Sequence, residues 1–170
     1  MTSLGKKKFG GGISVLKNNL LPLDLQYLFR NEYLDSVKML IILYQSKRRI
    51  KGIDLEELNY YFTIIELLEI NEMHKYELNL EYSQDNYLIN ENVLRSYGIP
   101  LKNQDFISIY SENTNKKAIL YFKLTDEGKR LIEGLEDEYF KTIIDRYNFV
   151  NNTMKYSVEN QRKVLKGNEK

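Results

Sequence analysis

The sequence predicts a mostly helical α+β domain in which a helix-turn-helix pair is followed by a β-hairpin and a long C-terminal helix. Three observations predict it. Apolar residues recur at helical spacing from Val37 to Tyr44 and again from Leu55 to Ile65, with Gly52 in the short link between the two runs. Two β-prone runs, Phe106–Tyr110 and Ile119–Phe122, flank the polar stretch Ser111–Lys117, which suits a long hairpin loop. Beyond Leu124 the helical period returns and persists to about Asn151.

Residues 1–12, with Lys6, Lys7, Lys8 and the run Gly10–Gly12, read as a flexible basic arm. The body then spans 13–156 and a polar tail spans 157–170. Between Ile13 and Leu34 Pro22 interrupts any helix, leaving a short one from about Asp24 to Arg30. Asp35-Ser36 offers an N-cap for the first long helix, which is apolar nearly all round and closes on Lys47-Arg48-Arg49. Asp54 with Glu57 three residues on forms a capping-box pattern, and Leu55, Leu58, Phe62 and Ile65 give the helix that follows one apolar stripe.

The alternation Tyr76, Leu78, Leu80, Tyr82 with Glu77, Asn79 and Glu81 predicts a half-exposed strand. One or two helical turns are expected over Glu91–Tyr97, closed by Gly98 and Pro100. After the hairpin, Thr125 caps a helix whose first turn carries Asp126 and Glu127, and whose seam is Ile132, Leu135, Tyr139, Ile143 and Val150. The tail is expected to fray.

Composition removes several kinds of chemistry. The 170 residues carry 25 Lys+Arg against 24 Asp+Glu, the balance of an ordinary soluble domain. With no Cys there are no disulfides, thiolate zinc sites or cysteine nucleophiles, which suits a reducing cytoplasm. His74 is the sole histidine, so neither a histidine metal cluster nor a serine triad is available. The glycine-rich start lacks the Gly-Lys-Ser/Thr of a phosphate loop. Carboxylates such as Asp85, Glu91 and Asp105 match no catalytic or magnesium spacing. The longest apolar run, Met39–Tyr44, is far short of a membrane span, and no secretory leader is expected, since Lys6–Lys8 lead into Phe9 and three glycines rather than an apolar stretch. No enzyme, cofactor or metal is expected, and a cytoplasmic location is.

The helix following Asp54 is the candidate probe of a nucleic-acid groove, and its charge argues for another partner. Residues 54–72 contain Asp54, Glu56, Glu57, Glu66, Glu69 and Glu72 and no Lys or Arg, a formal charge of minus six. Opposite the stripe lie Glu56, Asn59, Thr63 and Glu66, and carboxylates repel phosphates. With Tyr60, these residues are expected to meet protein instead. Fourteen tyrosines suit either aromatic packing or an interface. Lys47, Arg48, Arg49, Lys51, Lys116 and Lys117 are the residues placed for nonspecific phosphate contact.

The segment Tyr121-Phe122-Lys123-Leu124-Thr125-Asp126-Glu127-Gly128-Lys129-Arg130-Leu131-Ile132 resembles the end of many winged-helix domains: a last wing strand, Leu-Thr, a glycine in the first helical turn, then an apolar pair. Leu34-Asp35 leading into the apolar helix with Lys38, followed by Ile50–Phe62, is similar to the winged-helix middle component of bacterial ABC three-component systems, including the accessory subunit of Lamassu-type antiphage defence. The resemblance implies a winged helix-turn-helix with a β-hairpin wing. It also implies a noncatalytic adaptor bridging an SMC-like ABC ATPase and a nuclease-like effector in defence against phage or plasmid DNA. The alternative is a dimeric winged-helix transcriptional regulator, its dimer formed by the C-terminal helix.

Overall fold

The computed structural model describes residues 31–70, 79, 80 and 82–167. It is a mostly helical α+β fold of six helices and a three-stranded antiparallel sheet. In chain order these are α1 (Glu32–Gln45), β1 (Ile53–Asp54), α2 (Leu55–Ile70), α3 (Ser83–Asn103), β2 (Ile107–Asn113), β3 (Ala118–Leu124), α4 (Asp126–Glu133), α5 (Glu138–Thr153) and α6 (Val158–Lys166). Among the described residues no helix is long and apolar enough to cross a membrane.

Helix α1 is the hub. Met39, Leu40, Ile41, Ile42 and Leu43 are consecutive and all buried, so every face of this helix meets protein: α2, α4, α5 and the sheet. Each such side chain contributes about 1.5–3 kcal/mol by leaving water. Asn31, not Asp35, caps it, accepting from the Tyr33 and Leu34 amides at 3.0 and 3.3 Å. Asp35 instead sits inside the helix with its carboxylate buried against Lys38. The cations Lys47–Arg49 follow the last turn rather than closing it.

Asp54 does cap α2, taking the Glu57 amide at 2.8 Å. The reciprocal half of the capping box is absent, because the Glu57 carboxylate turns to Arg49 at 2.6 Å. The sheet order is β1-β3-β2. Two residues of β1 pair with β3 as Ile53↔Phe122 and Asp54↔Tyr121, and the hairpin runs in register from Ile107↔Leu124 to Asn113↔Ala118. The expected long hairpin loop is mostly strand: only four residues turn, held by the Thr114 amide on the Lys117 carbonyl at 3.0 Å and the Lys117 amide on Thr114 Oγ1 at 3.1 Å.

Helix α3 is the largest departure from expectation. It runs for 21 residues straight through Gly98 and Pro100. Its buried positions Ser83, Asn86, Tyr87, Asn90, Leu94, Tyr97, Gly98 and Leu101 keep strict three-four spacing, but half of them are polar or glycine, so no apolar stripe announces the helix. Gly98 is a contact residue, not a stop. A Cβ there would stand 3.0 Å from Ile109 Cδ1 and 3.1 Å from Phe122 Cε1, so the glycine lets helix and sheet close. Pro100 falls one turn from the end, where the lost amide leaves only the carbonyl of exposed Ser96 to be served by water.

The strand expected over Tyr76–Tyr82 lies mostly outside the described residues, and Asn79, Leu80 and Tyr82 are in no strand. The single C-terminal helix is two: α4 ends at Gly134, and Asp137 recaps the chain by accepting the Tyr139 amide at 2.8 Å. The expected seam holds across the break, with Ile132, Ile143 and Val150 buried. Over its described residues, 157–167, the tail is ordered rather than frayed, since Ser157 caps α6 and Val164 is fully buried.

Candidate interaction surface

The residues expected to form a protein-facing patch on α2 are mostly interior. Asn59, Tyr60 and Thr63 have no exposed surface; Glu66 is half-buried and only Glu56 is exposed. The cause is a polar ladder between α2 and α3. Asn59 Nδ2 donates to the Tyr87 carbonyl at 2.9 Å, Thr63 Oγ1 donates to Asn59 Oδ1 at 3.3 Å, and Asn90 Nδ2 donates to both Thr63 Oγ1 and Glu66 Oε2, at 3.0 and 2.7 Å. Every rung satisfies a group that would otherwise be costly to bury. A partner could reach Asn59 or Thr63 only if α3 left, and Tyr60 is closed off separately, by Tyr156 and the Met154 carbonyl.

The negative charge of α2 is largely consumed inside the molecule as well. Glu57 pairs with Arg49, Glu56 pairs with Lys117, and Glu69 takes both Lys38 at 2.7 Å and Arg146 at 3.1 Å. Glu72 and His74 lie outside the described residues. The helix is therefore no bare anionic probe. Ion pairs also occupy four of the six expected phosphate contacts: Arg49 and Lys117 as above, Lys51 on Glu112 of β2 at 2.9 Å, and Lys47 near Glu133 of α4 at 4.0 Å and over the Tyr44 ring at 3.5 Å. Arg48 and Lys116 are exposed and form no ion pair among the described residues. Asp85 and Asp105, at opposite ends of α3, are about 30 Å apart by helical rise and share no site with Glu91.

Tyrosine serves mainly as core. Tyr60, Tyr61, Tyr87, Tyr97 and Tyr147 are buried. Tyr61 meets Tyr60 edge-on at 5.5 Å and Tyr147 at 4.8 Å, while Tyr60 meets Tyr156 at 5.4 Å, which ties α2 to α5 and to the segment before α6. Their hydroxyls find partners, Tyr60 donating to the Met154 carbonyl at 2.6 Å and Tyr61 to Asn151 Oδ1 at 3.1 Å. Burial pushes the phenols of Tyr61 and Tyr87 up to about 12, and raises those of Tyr60, Tyr147 and Tyr156 too. A folded-state pKa above the unfolded one means stability that is fully present below about pH 10 and lost as pH rises toward about 12. Circular-dichroism melts are expected to show a steady Tm up to about pH 9 and a steep fall above about pH 10, with phenolate absorbance appearing in the same window. A Tm that stays flat to about pH 12 would contradict this assignment.

What the fold leaves open is the outer side of α3 and the hairpin beside it. Along α3, Leu88, Asn92, Arg95, Ile99 and Lys102 succeed one another at four-three spacing and all are exposed, Leu88 at 54% and Ile99 at 64%. Asp85, Glu91, Arg95 and Lys102 are the only charges on this helix and they cancel. On the hairpin, the face turned toward α3 grades from buried Ile107 and Leu124 through half-buried Ile109 and Leu120 to exposed Ser111 and Ala118, so apolar surface runs out past the cover of the helix. Its other face stacks Tyr110 on Tyr121 at 5.3 Å.

Two clefts open between these elements. One, of about 350 Å³, lies between the last turns of α3 and the base of the hairpin, lined by Ile99, Ile109, Leu120, Phe122, Arg95 and Lys102 among others. The second, of about 340 Å³, shares Arg95 and Leu120 with it and continues toward the start of α2, where Asp54, Glu56 and Glu91 are met by Lys117. Sequence periodicity could have found this surface had the Asn86-Asn90 spacing been taken as a buried polar stripe, because that stripe turns Leu88 and Ile99 outward. Among the described residues no three His, Cys, Asp or Glu side chains converge as a metal site. Comparison with family models, with curated proteins and with solved structures finds no match for this chain.

Proposed function

We propose that the chain is a winged-helix domain, with α3 as the outward helix and the β2–β3 hairpin as the wing, acting as a noncatalytic adaptor that docks protein. The order helix, short strand, two helices, hairpin supports the winged-helix assignment, and it moves the position of a reading helix from α2 to α3. The single observation that carries the adaptor reading is the outward seam of α3: two exposed aliphatic side chains on a helix of zero formal charge. A helix that enters a DNA groove needs a cationic excess to release counterions. Exposed Leu and Ile next to an apolar hairpin face instead match the anchors of a protein interface.

The partner implied by the family resemblance is an SMC-like ABC ATPase together with a nuclease-like effector, in a bacterial complex acting against phage or plasmid DNA. The test is co-expression of the tagged chain with an SMC-like ATPase encoded beside it. The expected result is co-purification in fixed stoichiometry, with Leu88→Asp reducing recovery about tenfold or more while the chain's circular dichroism stays unchanged. In parallel, the isolated chain is expected to bind duplex DNA no more tightly than the nonspecific range of about 10⁻⁴–10⁻⁶ M. Nanomolar binding to one defined promoter by a dimer of this chain would overturn the adaptor and establish the regulator.

A further inference from the structure

We infer that the cleft between the last turns of α3 and the hairpin receives an acidic peptide segment anchored by one apolar side chain; this rests on the protein-docking reading and names the chemistry of what docks. The floor supplies the anchor's site. Ile109, Leu120 and Phe122 form it and exposed Ile99 walls it, and its volume of about 350 Å³ corresponds to roughly a dozen waters of liquid. Displacing that water from an apolar floor by a Leu- or Phe-sized group is favourable.

The rim supplies the charge preference. Arg95 and Lys102 are the two ionic residues lining this cleft, and no carboxylate lines it. Lys102 forms no ion pair among the described residues, and Arg95 reaches only Glu91, four residues back on its own helix, in a pair about half exposed on each side. An incoming carboxylate can therefore take both cations with little to displace. The direction of the segment follows from the neighbouring cleft. There Asp54, Glu56 and Glu91 gather, so the anionic part of the ligand belongs at the Lys102 end, away from them. The same carboxylates disfavour a nucleic-acid backbone running along both clefts, and a phosphate gains nothing from the apolar floor.

The test uses the full chain and three fluorescent ten-residue peptides: one with a central Leu-Phe pair flanked by Asp and Glu, one with the same pair flanked by Lys, and one acidic peptide with Ala-Ala in place of the pair. The expected result is saturable polarisation for the first peptide, about tenfold tighter than for either control. The double substitution Arg95→Glu and Lys102→Glu is expected to invert the preference toward the Lys-flanked peptide, and Ile99→Asp to abolish binding of all three. These residues are exposed, so the variants should melt like the parent chain.

Equal binding of the three peptides, or a preference unmoved by the charge reversal, would overturn the inference. So would a duplex DNA of about twenty base pairs whose binding vanishes in the Lys102→Glu variant while no peptide binds. Co-purification with the ATPase that survives Ile99→Asp and the charge reversal would sink this cleft and leave the adaptor standing. Loss of all co-purification by the parent chain would sink the adaptor itself.

Discussion

Replacing Lys38 with Met is expected to remove about 3–5 kcal/mol of unfolding free energy, the largest effect of any single exchange considered for this chain. Lys38 is 2% exposed, with Nζ 3.2 Å from Asp35 Oδ1, 2.7 Å from Glu69 Oε2 and 5.0 Å from the centre of the Phe62 ring. Burial alone would lower its pKa, but the carboxylates of Glu69 and Asp35 outweigh that and hold it well above the ordinary lysine value, so the group is a cation at every pH the fold survives. Glu69 keeps Arg146 at 3.1 Å and the Tyr139 hydroxyl at 3.4 Å when the lysine is removed. Asp35 keeps the Tyr97 hydroxyl at 3.4 Å in place of a cation 3.2 Å away.

A buried carboxylate stripped of its close cation is the costly species, not the pair itself. Adding Asp35→Asn to Lys38→Met should accordingly recover a substantial part of the loss, since the amide oxygen still accepts from Tyr97. Urea unfolding with an unchanged slope and a shifted midpoint reads both values. A loss below about 1 kcal/mol for the single variant, or a further loss on adding Asp35→Asn, would show that the cluster is not held by charge.

Gly128→Ala tests a sign. In an ordinary helix interior this exchange stabilises by about 0.5–1 kcal/mol. Here it is expected to cost about 3 kcal/mol. Gly128 lies in the first turn of α4, its amide on Thr125 Oγ1 at 3.0 Å, while the Thr125 amide and hydroxyl reach back to the Phe106 and Asp105 carbonyls at 3.1 and 2.5 Å. That double clasp brings the helix start onto the end of α3 and β2. A Cβ on residue 128 would fall 2.2 Å from the Phe106 carbonyl oxygen and 2.7 Å from Leu124 Cδ1. The oxygen is backbone and already bonded to Thr125, so it cannot step aside. Thr125→Ala, which loosens the clasp without a clash, should cost only about 1 kcal/mol. A stabilising Gly128→Ala would show that the contact relaxes freely.

Both exchanges bear on what a sequence discloses. The glycine after Leu-Thr was visible as a pattern, and so were the caps at Asp54 and Thr125, the apolar helix around Ile41, the two β-prone runs and the seam through Ile132, Ile143 and Val150. Each is a local signal, written in a residue's neighbours three or four positions away or in an alternation of two. Lys38 gave only half of such a signal, Asp35 three residues before it. Its second partner, Glu69, stands 31 residues on, and only packing of α1 on α2 makes that pair. The candidate surface was legible in the same unequal way. Glu56, Asn59, Thr63 and Glu66 do share one helix face, but their polarity alone predicts an exterior, and α3 covers its middle.

The sequence by itself determined where α2 and the two hairpin strands begin and which apolar residues could enter a core, while the start of α1 at Asn31, the pairing of β1 and the length of α3 were not written in it. Tertiary structure alone decided which polar face is covered: Asn90, 27 residues beyond Thr63, completes the hydrogen bonds that let Asn59 and Thr63 go inside, and the same closure turns Leu88 and Ile99 outward. The physical reason is that a hydrophobic side chain declares its own preference for the interior, whereas a polar one is buried or exposed according to whether a partner arrives to satisfy it.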